Sequence, residues 1–165
     1  MSLVIEDGSI VANADSFATA AELVTYAANF GKTIPADTAA QESILRRAAL
    51  QMSVMSWKGG LVSELQTLSW PRVDVYRENW LVPSNAIPAQ IKAGQMALAA
   101  EIHADDLAPP ELKKGAVTKE RVEGAVERQY AEAQSSITRP AATRQSYAQF
   151  GPFLESSNQV KMVRG

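Results

Sequence analysis

Residue types that carry much of enzyme chemistry are absent or rare in this sequence. It contains no cysteine, which excludes disulfides and thiol catalysis. His103 is its single histidine, so an imidazole base or a histidine metal ligand has one candidate at most. We therefore expect no catalytic site, no metal site and no cofactor, and we expect that the protein is not an enzyme.

Long hydrophobic runs and a strong net charge are also missing. No segment has the ~18 consecutive apolar residues that a membrane-spanning helix needs. The start, MSLVIEDGS, lacks the basic residues and the apolar run of a signal peptide. The formal net charge of -2 argues against a general nucleic-acid coat, which is usually strongly basic. These features predict a soluble protein without membrane contact that stays in the cell that made it.

Charge is nevertheless distributed unevenly along the chain. Residues 1–43 are acidic, with Lys32 as the one basic side chain, whereas residues 139–165 are basic, with Glu155 as the one acidic side chain. An acidic front and a basic end could meet between neighbouring copies in a head-to-tail ring. Two solvated surfaces are the alternative that this pattern leaves open.

A first helix is predicted between Asn13 and Gly31. Asn13 or Asp15 can cap it, because a short side-chain oxygen accepts hydrogen bonds from the free N–H groups of a first turn. Its expected buried face consists of apolar residues at helical spacing, namely Phe17, Ala20, Ala21, Val24 and Ala28.

Two further helices have clearer patterns. The second is predicted within residues 35–57, with Asp37 or Thr38 as its cap. The third begins at Pro88, whose missing N–H would be unpaired in a first turn anyway. Gly94 lies on the apolar stripe of the third helix, where a missing side chain either permits a close approach or simply weakens the helix. The expected buried face of the second helix is Leu45, Ala48, Ala49, Met52 and Met55.

The composition changes beyond Pro110. The stretch GAVTKERVEGAVERQYAEA alternates apolar and charged residues around Gly124, which predicts a ribbon of Val117–Val122 with Ala125–Tyr130. A polar helix is the alternative. The predicted fold is therefore mainly α: a small bundle of three to four helices with a long structured loop, a possible β-ribbon and an extended C-terminal tail.

The long loop, QTLSWPRVDVYRENWLVPSNAIP, is rich in proline and aromatic residues. Pro71 and Pro83 restrict the preceding Trp70 and Val82 to extended conformations. Aromatic side chains bury much area, so a stiff aromatic loop is suited to packing on a helical core. Trp80 is expected to pack on the helices as well. The residues predicted to hold the loop on the core are Trp57, Trp70, Pro71, Val82, Pro83, Ile87 and Pro88.

Single-stranded DNA binding is a competing interpretation of these aromatic residues. Such proteins interleave aromatic with basic side chains, and the run from Trp70 to Arg77 fits that pattern loosely. Asp74 and Glu78 weaken the fit because they repel phosphates. Packing against the helices is the interpretation that the sequence favours.

Several sequence blocks also occur in a characteristic order. They are VIEDGSIVANADSF, a helix ending in SWKGG, then LSWPR, and finally VPSNAIPAQIKAGQMALAAEI, together spanning about residues 3–107. This order resembles the head-to-tail adaptor (connector) proteins of tailed bacteriophages, a family also labelled DnaT-like single-stranded DNA-binding proteins. LSWPR followed by VPSNAIP is the most specific part of the resemblance.

The resemblance implies an organisation and a function. The implied parts are a helical bundle adaptor domain at 1–110, a ribbon or extension at 111–131 and a portal-docking tail at 132–165. The implied function is a structural virion protein, in which twelve copies form a ring between portal and tail and continue the DNA channel. The side chains expected to dock on the portal are Arg139, Arg144, Tyr147, Phe150, Phe153, Lys161, Val163 and Arg164.

The implied partners are the portal protein, neighbouring copies of the chain, a downstream tail or stopper protein and the genome DNA that passes through the lumen. The implied location is the neck of the virion, after assembly in the host cytoplasm. A single-stranded DNA-binding accessory protein is the alternative function, and the weak overall charge counts against it.

Overall fold

Helices form the framework of the structure, a computed structural model that describes residues 2–107, 117–123, 125–130 and 144–155. The α-helices are α1 (Ala20–Phe30), α2 (Thr38–Ser53), α3 (Ala89–Leu107) and α4 (Gln145–Phe150), and a 3-10 helix (Gly151–Phe153) follows α4. The strands pair as β1 (Gly60–Leu61) with β2 (Arg72–Val73), β3 (Tyr76–Arg77) with β4 (Trp80–Leu81), and β5 (Val117–Glu123) with β6 (Ala125–Tyr130). The predicted mainly α bundle with a long structured loop is confirmed.

The two central helices, α2 and α3, form where they were predicted. Helix α2 ends at Ser53, however, so the predicted buried residue Met55 lies beyond the helix and is half-buried. Asp37 caps α2, and its carboxylate accepts a hydrogen bond from the N–H of Ala40 at 3.0 Å. Ala48 and Met52 lie on the buried face of α2, which packs against α3. Pro88 directly precedes α3, as its fixed backbone angle and missing N–H favour.

The first helix begins later than predicted, because its start is fixed by a different cap. Thr19 and Glu22 form a capping box: the Thr19 N–H donates to Glu22 Oε2 at 2.7 Å, and the Glu22 N–H donates to Thr19 Oγ1 at 3.1 Å. The predicted cap Asp15 instead accepts a hydrogen bond from the N–H of Val4 at 2.8 Å and pairs with Arg46 at 2.6 Å. These bonds hold the segment before α1 in a non-helical conformation.

The predicted buried face of α1 is also wrong. Phe17 is fully buried but precedes the helix, while Val24 and Ala28 are exposed. Asn13, the other predicted cap, lies in a left-handed conformation with a φ of 58°. The predicted face included Phe17, which precedes the helix, and the apolar spacing counted from it therefore indicated the wrong side of α1. The residues that α1 buries are Leu23, Tyr26 and Ala27.

A buried amide on α3 fixes the segment before α1. Gln95 Nε2 donates to Ser16 Oγ and to the carbonyl of Leu45, both at 3.0 Å. Gln95 Oε1 accepts a hydrogen bond from the N–H of Phe17 at 2.9 Å. Since both donor hydrogens and the acceptor oxygen are used, burial of this amide carries little penalty. The network places Phe17 in the core.

Helix α4 approaches α3 closely at Gly94. A Cβ atom added to Gly94 would lie 2.1 Å from Cε1 of Phe150, which is far inside van der Waals contact. Phe150 is fully buried, so its ring occupies the volume that a side chain at Gly94 would need. The predicted role of Gly94 as a site of close approach is confirmed.

The segment 144–155 belongs to the core. The predicted tail at 132–165 is therefore not free along its whole length. Ser146 donates from its N–H to Glu101 Oε1 at 3.2 Å and from its hydroxyl to Glu101 Oε2 at 2.6 Å. The N–H of Lys58 donates to the carbonyl of Phe153 at 2.9 Å. Sequence patterns missed this return because it is short and separated from the bundle by a polar stretch.

Four aromatic rings join the loop and the C-terminal segment to the bundle. Trp57 and Trp70 meet edge to face with ring centroids 5.9 Å apart. Phe150 packs on Trp57 at 5.2 Å, and Phe153 packs on Trp70 at 5.5 Å, both with nearly perpendicular rings. Such geometry stabilises aromatic pairs beyond the area that they bury.

The structure places the residues expected to hold the loop in different environments. Pro83 is exposed, in contrast to the prediction, and so is Trp80. Trp80 lies in β4 and Pro83 follows this strand. Among the described strands, β4 pairs only with β3, and the side chains of Trp80 and Pro83 are exposed to solvent. Buried residues of the predicted set are Trp57, Trp70 and Pro71, and half-buried ones are Val82, Ile87 and Pro88.

The ribbon predicted after Pro110 is confirmed, and the helical alternative is wrong. Strands β5 and β6 pair antiparallel from Val117 opposite Tyr130 to Glu123 opposite Ala125. An irregularity between Val117 and Lys119 shifts the register. The alternation of apolar and charged residues was therefore a valid strand signal.

We expect Gly94→Ala to lower the free energy of unfolding by about 1–3 kcal/mol, because the added methyl group overpacks the contact with Phe150. Gly151→Ala is the matched control: its Cβ would meet no atom within 4 Å, and its φ is -45°. Urea denaturation of both variants measures the difference. Equal stability of the two variants would contradict the close approach.

Trp70 provides a second test of the core. We expect Trp70→Ala to cost roughly 3–5 kcal/mol of unfolding free energy, since its side chain is fully buried. Trp70→Phe should cost much less, because the Trp70 Nε1–H has no hydrogen-bond acceptor among the described residues. Trp57→Phe is the comparison. It removes the hydrogen bond from Trp57 Nε1 to the Met52 carbonyl, so we expect it to lower the unfolding free energy more than Trp70→Phe does. A loss below 1 kcal/mol for Trp70→Ala in denaturant melts would refute the assignment.

Candidate nucleic-acid interface

The β3–β4 hairpin is anchored at its base and exposed at its tip. Val75, just before β3, is fully buried, and its carbonyl accepts a hydrogen bond from the N–H of Val82 at 2.8 Å. Asp74 and Glu78, on either side of β3, adopt left-handed conformations with φ of 57° and 55°. These turns reverse the chain over a few residues, so the hairpin is short and its base is fixed by the core.

The tip of the hairpin exposes an aromatic pair and a cation. Tyr76 is 54% exposed, Trp80 is 80% exposed, and Arg77 is exposed beside them. Tyr76 lies opposite Leu81 and Arg77 lies opposite Trp80 in the register. Because directly opposite residues share a face, Arg77 and Trp80 lie on one face and Tyr76 and Leu81 on the other.

A shallow groove of about 370 Å³ borders Trp80 and Arg77. Its walls are the side chains of the hairpin and of the residues that follow it: Arg77, Glu78, Trp80, Leu81, Val82 and Pro83. An exposed indole beside a guanidinium can stack on a planar base while the cation contacts a phosphate. This arrangement matches the chemistry of single-stranded nucleic acid.

Two other basic residues of the loop are used internally. Arg72 Nε donates to the carbonyl of Lys58 and its Nη2 to the carbonyl of Gly59, both at 2.8 Å. Burial lowers the pKa of the Arg72 guanidinium, and the charge of Glu155 opposes that shift. Lys58 Nζ donates to the carbonyl of Pro152 at 2.7 Å. Backbone carbonyls therefore hold the side chains of Arg72 and Lys58, and Arg77 is the exposed cation of the β3–β4 hairpin.

The acidic residues of the first third of the chain also make internal contacts. The Glu6 carboxylate is buried and accepts hydrogen bonds from the N–H groups of Gly8, Ile10 and Val11 at 2.8–3.0 Å. Glu22 lies 3.6 Å from Lys92 Nζ in addition to its capping role. Glu6 is therefore used inside the fold, whereas Asp7, Glu22 and Asp37 remain exposed and keep the surface of this part of the chain acidic.

The residues expected to dock on a portal fall into three groups. Phe150 and Phe153 lie in the core, where their side chains are inaccessible. Arg144 is half-buried before α4, and Tyr147 is 48% exposed. The remaining members, which lie outside the described residues, are Arg139, Lys161, Val163 and Arg164.

The part of the chain that the structure describes contains neither a metal-binding cluster nor a membrane-spanning helix. His103 is half-buried near the end of α3. The described residues contain no group of three or more histidine, aspartate or glutamate side chains that could hold a metal ion. Within them, no helix combines the length and apolarity that crossing a bilayer requires.

Sequence reasoning missed the exposure of Trp80, although a signal for it was present. Glu78 and Asn79 form a polar pair between Arg77 and Trp80, and two polar residues between β-prone ones favour a tight hairpin. Because aromatic residues are commonly buried, the sequence predicts burial of all three tryptophans. A pair of two-residue strands cannot bury both of its faces, so Trp80 remains exposed.

Comparison with known families and structures gave one match. A family model described as "Putative DnaT-like ssDNA binding protein" matches residues 1–165. Neither the curated proteins nor the solved structures contain a match to the chain.

The exposure of Trp80 can be measured without any ligand. We expect acrylamide to quench one class of tryptophan fluorescence strongly, because Trp80 is 80% exposed while Trp57 and Trp70 are 4% and 0% exposed. Trp80→Phe should remove the quenchable class and shift the remaining emission to shorter wavelength. If the quenchable emission persisted in that variant, the hairpin would have a different orientation in solution.

Proposed function

The chain belongs to this DnaT-like family, and from that premise we propose that it binds single-stranded DNA through the β3–β4 hairpin. The observation that carries the proposal is the 80% exposure of Trp80 on the same face as Arg77. Stacking of a base on an exposed tryptophan stabilises the complex. Any base can stack in this way because every base has a π-face.

The two faces of the hairpin suit a strand that passes over its tip. Trp80 offers a stacking surface on one face and Tyr76 offers a second on the other face. Each stacked base contributes about 1–3 kcal/mol in single-stranded complexes. The fixed base at Val75 holds the hairpin backbone before DNA arrives, so little backbone entropy is lost on binding.

The charge of the site predicts an affinity that depends more on stacking than on ions. Arg77 is the cation at the tip, and Glu78 lies next to it in the turn. Each phosphate contact contributes about -0.7 to the slope of log affinity against log salt for a single strand. One such contact gives a shallow salt dependence, which agrees with a chain whose net charge is -2.

A second function, the non-catalytic head-to-tail adaptor of a tailed phage, is favoured by a different observation. Exposed apolar side chains occur on the hairpin and again on α2, where Leu50 and Val54 are exposed, and such surfaces mark contacts with proteins. As an adaptor, twelve copies would form a ring between portal and tail in the virion neck after assembly in the host cytoplasm. The portal, a tail or stopper protein and the genome DNA would be its partners. The portal-docking part of 132–165 would exclude the core residues Phe150 and Phe153.

DNA binding is tested by fluorescence anisotropy with a labelled single-stranded oligonucleotide and its duplex. We expect Trp80→Ala to weaken single-strand binding by roughly 5-fold to 150-fold, which corresponds to one lost stacking contact. We expect Arg77→Ala to reduce the salt slope by about 0.7. Leu65→Ala is the control, because Leu65 is 81% exposed and lies outside the hairpin.

Two results would separate the functions. If the oligonucleotide bound Trp80→Ala and Leu65→Ala equally well, the hairpin would not be the DNA site. Electron microscopy of the chain mixed with the portal protein of the same phage tests the adaptor function. A new layer of twelve copies beneath the portal is the expected image, and a bare portal ring at saturating protein would exclude the adaptor.

A further inference from the structure

A second apolar groove lies at the C-terminal end of α2. We call it the α2 groove; its volume is about 390 Å³, and its lining residues include Val54, Met55, Tyr147 and Leu154, with Glu155 at the rim. Val54 is 82% exposed. Apolar surface of this kind is costly to leave in water and is a common mark of an interaction site.

The floor of the α2 groove is preformed by the core. Trp57 pairs with Leu154 in an antiparallel bridge, and the Glu155 N–H donates to the carbonyl of Ser56 at 2.9 Å. Behind this bridge, the ring of Phe150 packs edge to face on Trp57 at 5.2 Å. Rigid walls favour a ligand that is itself rigid, since neither side then loses much conformational entropy.

The charges of the α2 groove indicate what fits it. Glu155 is an exposed carboxylate at the rim. The β3–β4 hairpin offers the complementary set: Trp80 as a large apolar anchor and Arg77 as a cation directly opposite it in the register. Tryptophan and arginine together are typical of the residues that dominate binding energy at protein interfaces.

The hairpin does not fill the groove of its own chain. Strand β3 contacts the 3-10 helix, so the hairpin starts beside the groove-forming segment. Trp80 nevertheless remains 80% exposed, which shows that its indole is outside the α2 groove of the same molecule. Another copy of the chain can supply a hairpin without any change in this conformation.

We propose that the α2 groove of one copy takes the β3–β4 hairpin of a second copy, with Trp80 against Val54 and Tyr147 and with Arg77 facing Glu155. The two surfaces are different, so the contact is heterologous. Each copy in a pair retains one free hairpin or one free groove, and repetition of the contact builds a ring or a filament.

The contact has a consequence for DNA binding, and this consequence rests on the proposed function. The same indole, that of Trp80, would stack on a base or enter the groove of a second copy. DNA and self-association would therefore compete, and single-stranded DNA would dissociate the assembled form.

Cysteine cross-linking tests the contact directly, because the natural chain contains no cysteine. Ser56→Cys marks the rim of the α2 groove and Asn79→Cys marks the hairpin turn; both positions are exposed. When the two variants are mixed and oxidised mildly, we expect a disulfide-linked dimer that joins position 56 to position 79. We expect Trp80→Ala, added to the Asn79→Cys chain, to reduce its yield at least tenfold.

Other patterns of cross-linking would overturn the proposal. Dimers that form only between two Ser56→Cys chains or only between two Asn79→Cys chains would indicate a symmetric contact. Leu65→Cys replaces Ser56→Cys in the control mixture, because Leu65 is exposed but does not line the groove. A cross-link from position 79 to position 65 in equal yield would show random collision, and no cross-link at any protein concentration would exclude the contact.

One further variant separates this inference from the proposed function. Val54→Glu places a charge in the groove at a position where Val54 is 82% exposed, so the fold should be unaffected. We expect sedimentation velocity to show loss of self-association while anisotropy shows DNA binding that is unchanged or tighter. If Val54→Glu associated like the natural chain, the groove proposal would fail while DNA binding could still hold. If Trp80→Ala lost association but not DNA binding, the proposed function would fail instead.

Discussion

The edge-to-face packing of four aromatic rings is the interaction on which the remainder of the structure depends. Trp57 follows α2, Trp70 lies in the long loop, and Phe150 and Phe153 come from the C-terminal segment. Their mutual contacts fix three distant parts of the sequence at one place. The hairpin extends from one side of this cluster and the α2 groove has it as a floor, so both proposed binding surfaces take their positions from it.

Internal hydrogen bonds complement the aromatic cluster where the backbone leaves regular structure. The Glu6 carboxylate, the Gln95 amide and the Arg72 guanidinium each satisfy several backbone groups in irregular segments. A buried backbone group without a partner is costly, so one side chain with several polar atoms can stabilise a whole turn.

The sequence allowed correct prediction of elements whose signals are local. The cap of α2, the start of α3 after Pro88 and the strand alternation of β5 and β6 are of this kind. Other features depend on partners far away in the sequence. The burial of Phe17 before α1 depends on its bond to Gln95, and the burial of Phe150 depends on the space that Gly94 leaves. The start of α1, in contrast, is set by the local capping box of Thr19 and Glu22, which the prediction overlooked. The exposure of Trp80 follows from the small size of its strand pair, which composition does not reveal.

The return of the chain at Ser146 makes the region after α3 an insertion and not an appendage. Ser146 bonds to Glu101 on α3, so the chain that follows α3 returns to the same helix, and the β5–β6 ribbon lies between these two points in the sequence. The entropic cost of joining two fixed points by a connection rises by only about 0.6 kcal/mol for each doubling of the connection's length. Evolution or design can therefore lengthen, shorten or replace this insertion while the bundle retains its architecture, which makes it the natural place to graft a foreign module.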